Sequence, residues 1–594
     1  MREPGQKPGL APLFRLPLIL GVVGHRDLCD TELSAIRGAI EALLRVLRAA
    51  QPGVPVQLLS SMAEGADLLV AEVALDLGFD VIALLPYGRA QCREDIATDA
   101  ARLVFDRLVQ RAEVLEMPSP EGVDAEALAS PGAARDRQYQ EAGYLVARYS
   151  SLLISIWDGQ DTGHAAGTAR VIGYRRHGLA PAEPAGAAFD SLMSAADNDW
   201  TYEIRCSRRS TSSPTDATGA EVIGFVCGDR RLGAVEQGLP AELTTLLDRT
   251  ADFNDDVTVY GDRMAASGRR LAPPSPYAIP ETLLYVDRLF VAADWLGVHF
   301  GRCFTRALRA RYTLWAILAL LLLGLAQQQD ENVGLANILV VLLVFATGWL
   351  LAFWAHRRSW HRRFLNYRAL AEALRVDFYC ELAGVRAQFR GEFSHENFLQ
   401  RQDFELEWIR AAMRAVSLRR ALYPRAVLPH GFELAYAAWI GDPDPVNGAG
   451  QLHYYRQRAR ALERRQRFAE GISTVLLFTG LALGIVLATT AILSFVSEVR
   501  IGSRLRDALV LVLALVSIYG AIFEIYLGEK ADRALIRQYR YMESLFSIAA
   551  RELASARSLP DKLEILRSLG HASLAEHAQW ILAHRDKRID GLRW

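Results

Sequence analysis

Four short apolar runs in the first third of the chain each exit into small, polar or ionic residues of the kind that hold a phosphate. Residues 17–23 lead into Gly24-His25-Arg26-Asp27, where a glycine permits close backbone approach and the Arg26 guanidinium can fork two bonds onto an anion. Residues 56–60 lead through Ser61 into Glu64-Gly65-Ala66-Asp67, immediately before an apolar helix. Residues 81–85 end at Pro86-Tyr87-Gly88, followed by Arg93, Glu94 and Asp95. Residues 151–157 end at Asp158-Gly159 and continue through Gly163-His164-Ala165-Ala166-Gly167-Thr168 into a helical stretch.

The elements that would position these residues alternate in type. Amphipathic helices fit residues 31–49, 66–77 and 95–110 between the four apolar runs, and that order predicts an α/β layer built on a parallel sheet. In such sheets ligands collect at the carboxyl ends of the strands, where helix N-termini offer unpaired N–H groups and the positive end of the helix dipole. Taken singly, each motif also has a plainer reading: glycine before a helix is a turn residue, Asp67 caps or pairs locally, and His25 is a satisfied rim histidine. Taken together, the four crossovers at one rim describe a nucleotide-sized cradle. Neither G-x-x-x-x-G-K-[ST] nor a strict G-x-G-x-x-G occurs, which excludes a standard P-loop ATPase and a standard dinucleotide dehydrogenase.

With 594 residues the chain implies three to five units at roughly 100–200 residues per domain. Lys+Arg 67 against Asp+Glu 68 leaves a formal charge of −1, without the basic surplus that nucleic-acid binding by phosphate neutralisation requires. The six cysteines lack metal-ligand or disulfide-framework spacing and read as reduced thiols. The first apolar run is too short for a signal peptide, so it stays in the cytosol. Hydrophobic residues reach 51%, and the excess is local. Residues 312–326, 333–355, 471–496 and 508–523 read as membrane spans in two hairpins. The first and last span only about 22–24 Å and need help from their flanks, such as residues 327–329. Arg302, Arg306, Arg309 and Arg311 before the first hairpin, with Arg357, Arg358, Arg362 and Arg363 after it, put both termini and the segment between hairpins in the cytoplasm. Arg500, Arg504 and Arg506 in the second turn oppose that placement.

The strings LILGVVGHRDL, LLSSMAEGADLLVAEVALDLGFDVIALLPYG and SLLISIWDGQDTGHAAGTARVIGY resemble the SLOG superfamily of Rossmann-like nucleotide-binding domains, over roughly residues 16–180. The membrane half, through RFLNYRALAEALRVDFYCELAGV and AEHAQWILAHRDKR, is similar to the SLATT two-span effectors of bacterial conflict systems. A short echo of Tyr367-Arg368 in Tyr539-Arg540 fits a duplicated hairpin. The resemblance implies a division into 1–235 nucleotide-binding domain, 236–300 amphipathic connector, 301–390 first hairpin with a cytosolic helix, 391–470 cytosolic helical linker and 471–594 second hairpin with C-terminal helices.

It further implies an inner-membrane sensor–effector that binds a nucleotide or NAD-derived molecule and permeabilises or depolarises the membrane in an antiviral response. Four spans per chain enclose no channel, so a homo-oligomer is expected. The residues expected to touch the ligand are Gly24, His25, Arg26, Glu64, Gly65, Ala66, Asp67, Pro86, Asp158, Gly159, Gly167 and Thr168, with no metal, no cofactor and no catalytic residue. The LOG-type hydrolases of the same superfamily carry P-G-G-x-G-T-x-x-E; here Gly167-Thr168 match the G-T, but Val171 occupies the glutamate position. Arg148 falls near the functional arginine of those enzymes, and Glu64 or Asp158 could supply a substitute acid. The alternative reading is therefore a membrane-tethered nucleotide or nucleoside hydrolase.

Overall fold

A computed structural model of the chain describes residues 15–119, 130, 132–161, 167–177, 200–210, 219–228, 230–274, 277–326, 331–385, 406–422, 428–441, 450–496, 502–530 and 532–585. The chain divides into two compact units. One comprises Met1–Asp294, Ala369–Gly431 and Gly570–Ala578; the other comprises Trp295–Arg368, Phe432–Leu569 and Gln579–Trp594.

The first unit is built on a mixed eight-stranded sheet. Its strands are β1 (Leu18–Gly24), β2 (Val56–Ser60), β3 (Asp80–Leu85), β4 (Glu113–Glu116), β5 (Leu152–Trp157), β6 (Trp200–Arg205), β7 (Glu221–Cys227) and β8 (Arg230–Arg231), in the order β4-β3-β2-β1-β5-β6-β7-β8. From β4 to β6 all neighbours are parallel, as the strand–helix alternation predicts; β7 and β8 add an antiparallel edge that the sequence pattern did not announce. The first crossovers use α1 (Leu33–Ala50), α2 (Ala66–Asp76), α3 (Arg89–Glu94), α4 (Asp99–Arg111), α5 (Ala133–Tyr149) and α6 (Thr168–His177). The helix expected over 95–110 starts later, because Thr98 caps α4 by accepting the Ala101 N–H at 3.2 Å.

Both faces of the central strands are covered, which is why β1 and β5 are continuous apolar runs and do not alternate. On one face Ile19, Leu59, Ile82 and Leu153 pack with Val146 of α5, Val171 of α6 and Leu418. Leu418 belongs to α11 (Glu407–Leu422), which lies within the stretch expected to be a linker. Arg414 of that helix donates to the Ser150 carbonyl at 3.3 Å, and Arg419 forks onto Glu113 with two bonds of 2.7 Å. The sheet-bearing unit therefore extends beyond residue 235. It also takes in α7 (Ala241–Ser267), whose Asn254 accepts the Leu16 N–H at 2.8 Å and donates back to the Leu16 carbonyl at 3.1 Å, fixing the entry to β1.

Among the described residues four helices are long and apolar enough to cross a membrane, and their apolar windows are almost wholly unburied. They lie in α8 (Glu281–Ala326), α9 (Glu331–Arg357) with α10 (Trp360–Ala383), α12 (Gly450–Val496), and α13 (Ser503–Lys530) with α14 (Asp532–Ser555). α8 is one helix where a separate connector and a short span were expected; it lengthens the span only on the side that carries Arg302, Arg306, Arg309 and Arg311. α13 likewise runs past Glu524. Residues 327–329 lie outside the described residues. Within the second unit, a Cβ at Gly348 would stand 3.9 Å from Leu314, and one at Gly324 would stand 3.8 Å from Asn337. In the same way Gly480 faces Val516 at 3.7 Å and Gly520 faces Leu476 at 3.9 Å, while Ser473 donates to Glu524. Arg540 of α14 forks onto Glu463 of α12 at 2.7 and 2.8 Å. α15 (Leu559–Arg585) is the last described helix.

Candidate functional site

Strand order reverses direction between β1 and β5, since the chain steps outward from β1 through β4 and then returns to add β5 on the other side. The crevice beyond the carboxyl ends of these two strands is where ligands of open α/β sheets sit. Several of the sequence-derived residues converge there. Gly24 ends β1 in register with Ile156, and a Cβ on it would meet Ala66 Cβ at 2.4 Å and the Ile156 carbonyl at 2.6 Å. Gly65 holds φ at +87°, and a Cβ there would strike the Arg26 carbonyl at 2.4 Å. Both glycines are thus demanded by close backbone approach. The His25 carbonyl accepts the Ala66 N–H at 3.1 Å, and Thr168, first residue of α6, donates its hydroxyl to the Gly24 carbonyl at 3.0 Å. Two helix N-termini are so tied to the end of one strand, with the Gly167 carbonyl accepting the Arg170 N–H at 3.0 Å behind them.

His25 and Asp158 also meet. The ring Nε2 lies 3.0 Å from both the Asp158 N–H and the Asp158 carboxylate. Burial pushes the Asp158 pKa up, but the Gln160 N–H at 2.9 Å, His25 and Arg208 outweigh it and hold the carboxyl below its ordinary value.

Other residues are placed differently from a ligand contact. Asp67 is buried, accepts the Ser61 hydroxyl at 2.6 Å and organises the 61–63 turn, in which Met62 takes φ +55°. Burial pushes its pKa up to about 6 against the bonds from Ser61 and Ala63. Glu64 turns away to accept the Ala97 N–H at 2.8 Å. The Pro86 carbonyl is occupied by Gln138 Nε2 at 3.0 Å. Gly159, with φ +82°, stands beside β6, not β1. Gly163 to Ala166 lie outside the described residues. Val171 is buried in the core, where its Cγ2 would be 2.7 Å from a Cβ on Gly143, so the position of the hydrolase glutamate faces α5 and not the rim. Arg148 occupies the last turn of α5, at the amino end of β5, about 20 Å along the strand from the rim.

The opposite end of α5 supplies what sequence reasoning missed. The Arg26 guanidinium lies over the Tyr139 ring, 4.8 Å from its centroid. Tyr139 and Arg135 both bond Asp95, and the Tyr87 hydroxyl donates to the Arg135 carbonyl at 2.7 Å. Burial pushes the Tyr87 hydroxyl up to about 12, so it stays a donor at neutral pH. Arg135, Gln138 and Tyr139 share one helix face by their i, i+3, i+4 spacing, the sole signal that could have found them. On the β6 side, Glu203 is fully buried and accepts from Trp157 Nε1 at 3.3 Å, Arg205 Nε at 3.3 Å and Arg176. Among the described residues no cluster of three His, Cys, Asp or Glu side chains could hold a metal ion.

The close approaches at Gly24 and Gly65 are to Ala66, Ile156 and the His25 and Arg26 carbonyls, which leaves the Arg26 guanidinium as the group here with the charge to attract an anion. Comparison with known proteins finds no matching family model and no matching curated protein.

Proposed function

We propose that this chain is a nucleotide-responsive membrane effector. Its sheet-bearing unit binds a nucleotide-derived or NAD-derived phosphorylated molecule at the β1/β5 rim in a Rossmann-like manner. Its apolar helices insert as two hairpins into the bacterial inner membrane with both termini in the cytoplasm, and several copies together permeabilise or depolarise it. The SLOG and SLATT resemblance supplies the setting, defence against phage. The observation that carries the reading is the meeting of Gly24, Gly65 and Thr168 at the point where strand order reverses. Support for hairpins comes from paired contacts that step in opposite directions, Leu314 with Gly348 and Gly324 with Asn337, then Leu476 with Gly520 and Gly480 with Val516. The apolar core position of Val171 weighs against the hydrolase alternative.

Binding would act through differential affinity: a ligand that prefers one arrangement of the nucleotide-binding units shifts the helices toward the permeable state. The test is full-length protein in lipid vesicles with a potential-sensitive dye, challenged with AMP, ADP, ADP-ribose, NAD and cyclic dinucleotides. At least one is expected to collapse the potential with wild type and not with an Arg26→Ala, Thr168→Ala double variant. Equal responses from the two proteins, or none from any nucleotide, would refute the reading.

A further inference from the structure

Arg205 ends β6, in register with Trp157. Its Nε donates to Glu203 at 3.3 Å, and Glu203 is itself fixed by Trp157 Nε1 and by Arg176. One buried carboxylate thus faces two guanidinium groups, and the exposed Glu221 stands opposite Arg205 in the antiparallel β6/β7 pair. Only the Nε edge of Arg205 is used. The two terminal nitrogens have no acceptor among the described residues, and the side chain is 40% exposed. The left-handed turn at Gly159 lets the loop after β5 pass close beside this guanidinium, since a Cβ at that position would stand 3.2 Å from Arg205 Cζ. A guanidinium anchored through Nε with its paired N–H edge open is the geometry that receives a phosphate in bidentate fashion.

β6 lies two strands from β1, which sets Arg205 about 9–10 Å across the rim from Gly24 at the backbone. We infer that Arg205 is a second anion-binding side chain of the rim, and that the ligand carries at least two anionic groups, as in a nucleoside diphosphate or a dinucleotide, and not a single phosphate. Glu203 is a positioning residue for that fork. The inference rests on the nucleotide reading above and narrows its ligand class.

Isothermal titration of the full chain in detergent micelles with AMP and ADP tests it. Wild type is expected to bind ADP about tenfold or more tightly than AMP, since one charge-assisted bidentate contact is worth about that factor. Arg205→Ala should erase the ADP preference and leave AMP affinity in place. Arg205→Lys should restore only part of it, because an ammonium cannot be held by Glu203 while presenting a fork. Equal wild-type affinities, or an ADP preference that survives Arg205→Ala, would overturn the assignment of Arg205 while sparing the first anion site. Failure of wild type to bind AMP, ADP, ADP-ribose, NAD or a cyclic dinucleotide in the same titration would overturn both.

Discussion

The two units use the same apolar residue types against opposite surroundings. In the first, Leu84, Ile154 and Phe105 are wholly buried; in the second, Leu343 is 65% exposed and Phe495 is 93% exposed. Buried charge differs too. The first unit sinks Glu203, Asp67 and Arg175 below its surface and gives each hydrogen bonds, Arg175 by donating its terminal nitrogens to the carbonyls of Ala147, Ser150 and Ser151 at 2.7 to 3.0 Å. The apolar windows of the second unit carry almost no charge and almost no buried residue. The contrast shows that hydropathy alone does not report a core. What distinguishes the units is whether the apolar residues meet partners within the chain or are left for hydrocarbon to cover.

The sharpest way to break that contrast is a charge in each setting. Val171→Glu places a carboxylate in the packed face against Gly143 and is expected to cost about 3–5 kcal/mol, abolishing the cooperative melt followed by circular dichroism in detergent; a stable variant would show that residue 171 faces the rim. Leu343→Arg, near the middle of α9, should instead leave the sheet-bearing unit folded and lower membrane insertion by about 2.5–3.5 kcal/mol, read as loss from the carbonate-resistant membrane fraction.

Asp67 sharpens the comparison through pH. Its folded pKa of about 6 lies above the ordinary 3.8, so the folded state keeps a proton that the unfolded chain has released. Stability from this group is therefore full below about pH 4 and is lost as pH rises toward 6, leaving a burden of about 3 kcal/mol at neutral pH. Thermal melts of Asp67→Asn should lack that slope between pH 4 and 6; an unchanged slope would remove Asp67 as its source. The smallest effect belongs to the surface. Arg419→Ala removes the fork onto the partly exposed Glu113 and should lower the melting free energy by about 0.5–1 kcal/mol, less at high salt.

Much of the sheet was legible because each central strand is a short apolar run bounded by turn residues, and 56–60 coincides with β2 residue for residue. β4, with one buried residue in four, carries too little hydrophobic signal to be read, and β7 and β8 follow a segment whose pattern offers no crossover helix. At the site, Gly24, Gly65 and Thr168 were readable because turn chemistry at strand ends is local. Tyr139 and Arg135 were not, because their roles depend on Asp95, 44 and 40 positions away; nor was Arg205, whose partner Glu203 is two positions away but is a buried carboxylate that sequence gives no reason to single out. Glu64 and Pro86 were readable as rim residues, yet their polar atoms are spent on Ala97 and Gln138, contacts that only the fold reveals.

The packing of α11 on the sheet carries a consequence for biosynthesis. Leu418 and Ala415 cover apolar side chains of β1, β2 and β3, yet the ribosome reaches them only after it has made α8 and α9, some tens of seconds after β5 at about 5–20 residues per second. During that interval the part of this face that α5 and α6 leave uncovered stays open to chaperones and to aggregation. An amino-terminal fragment ending near residue 235 would stay in that unfinished condition permanently.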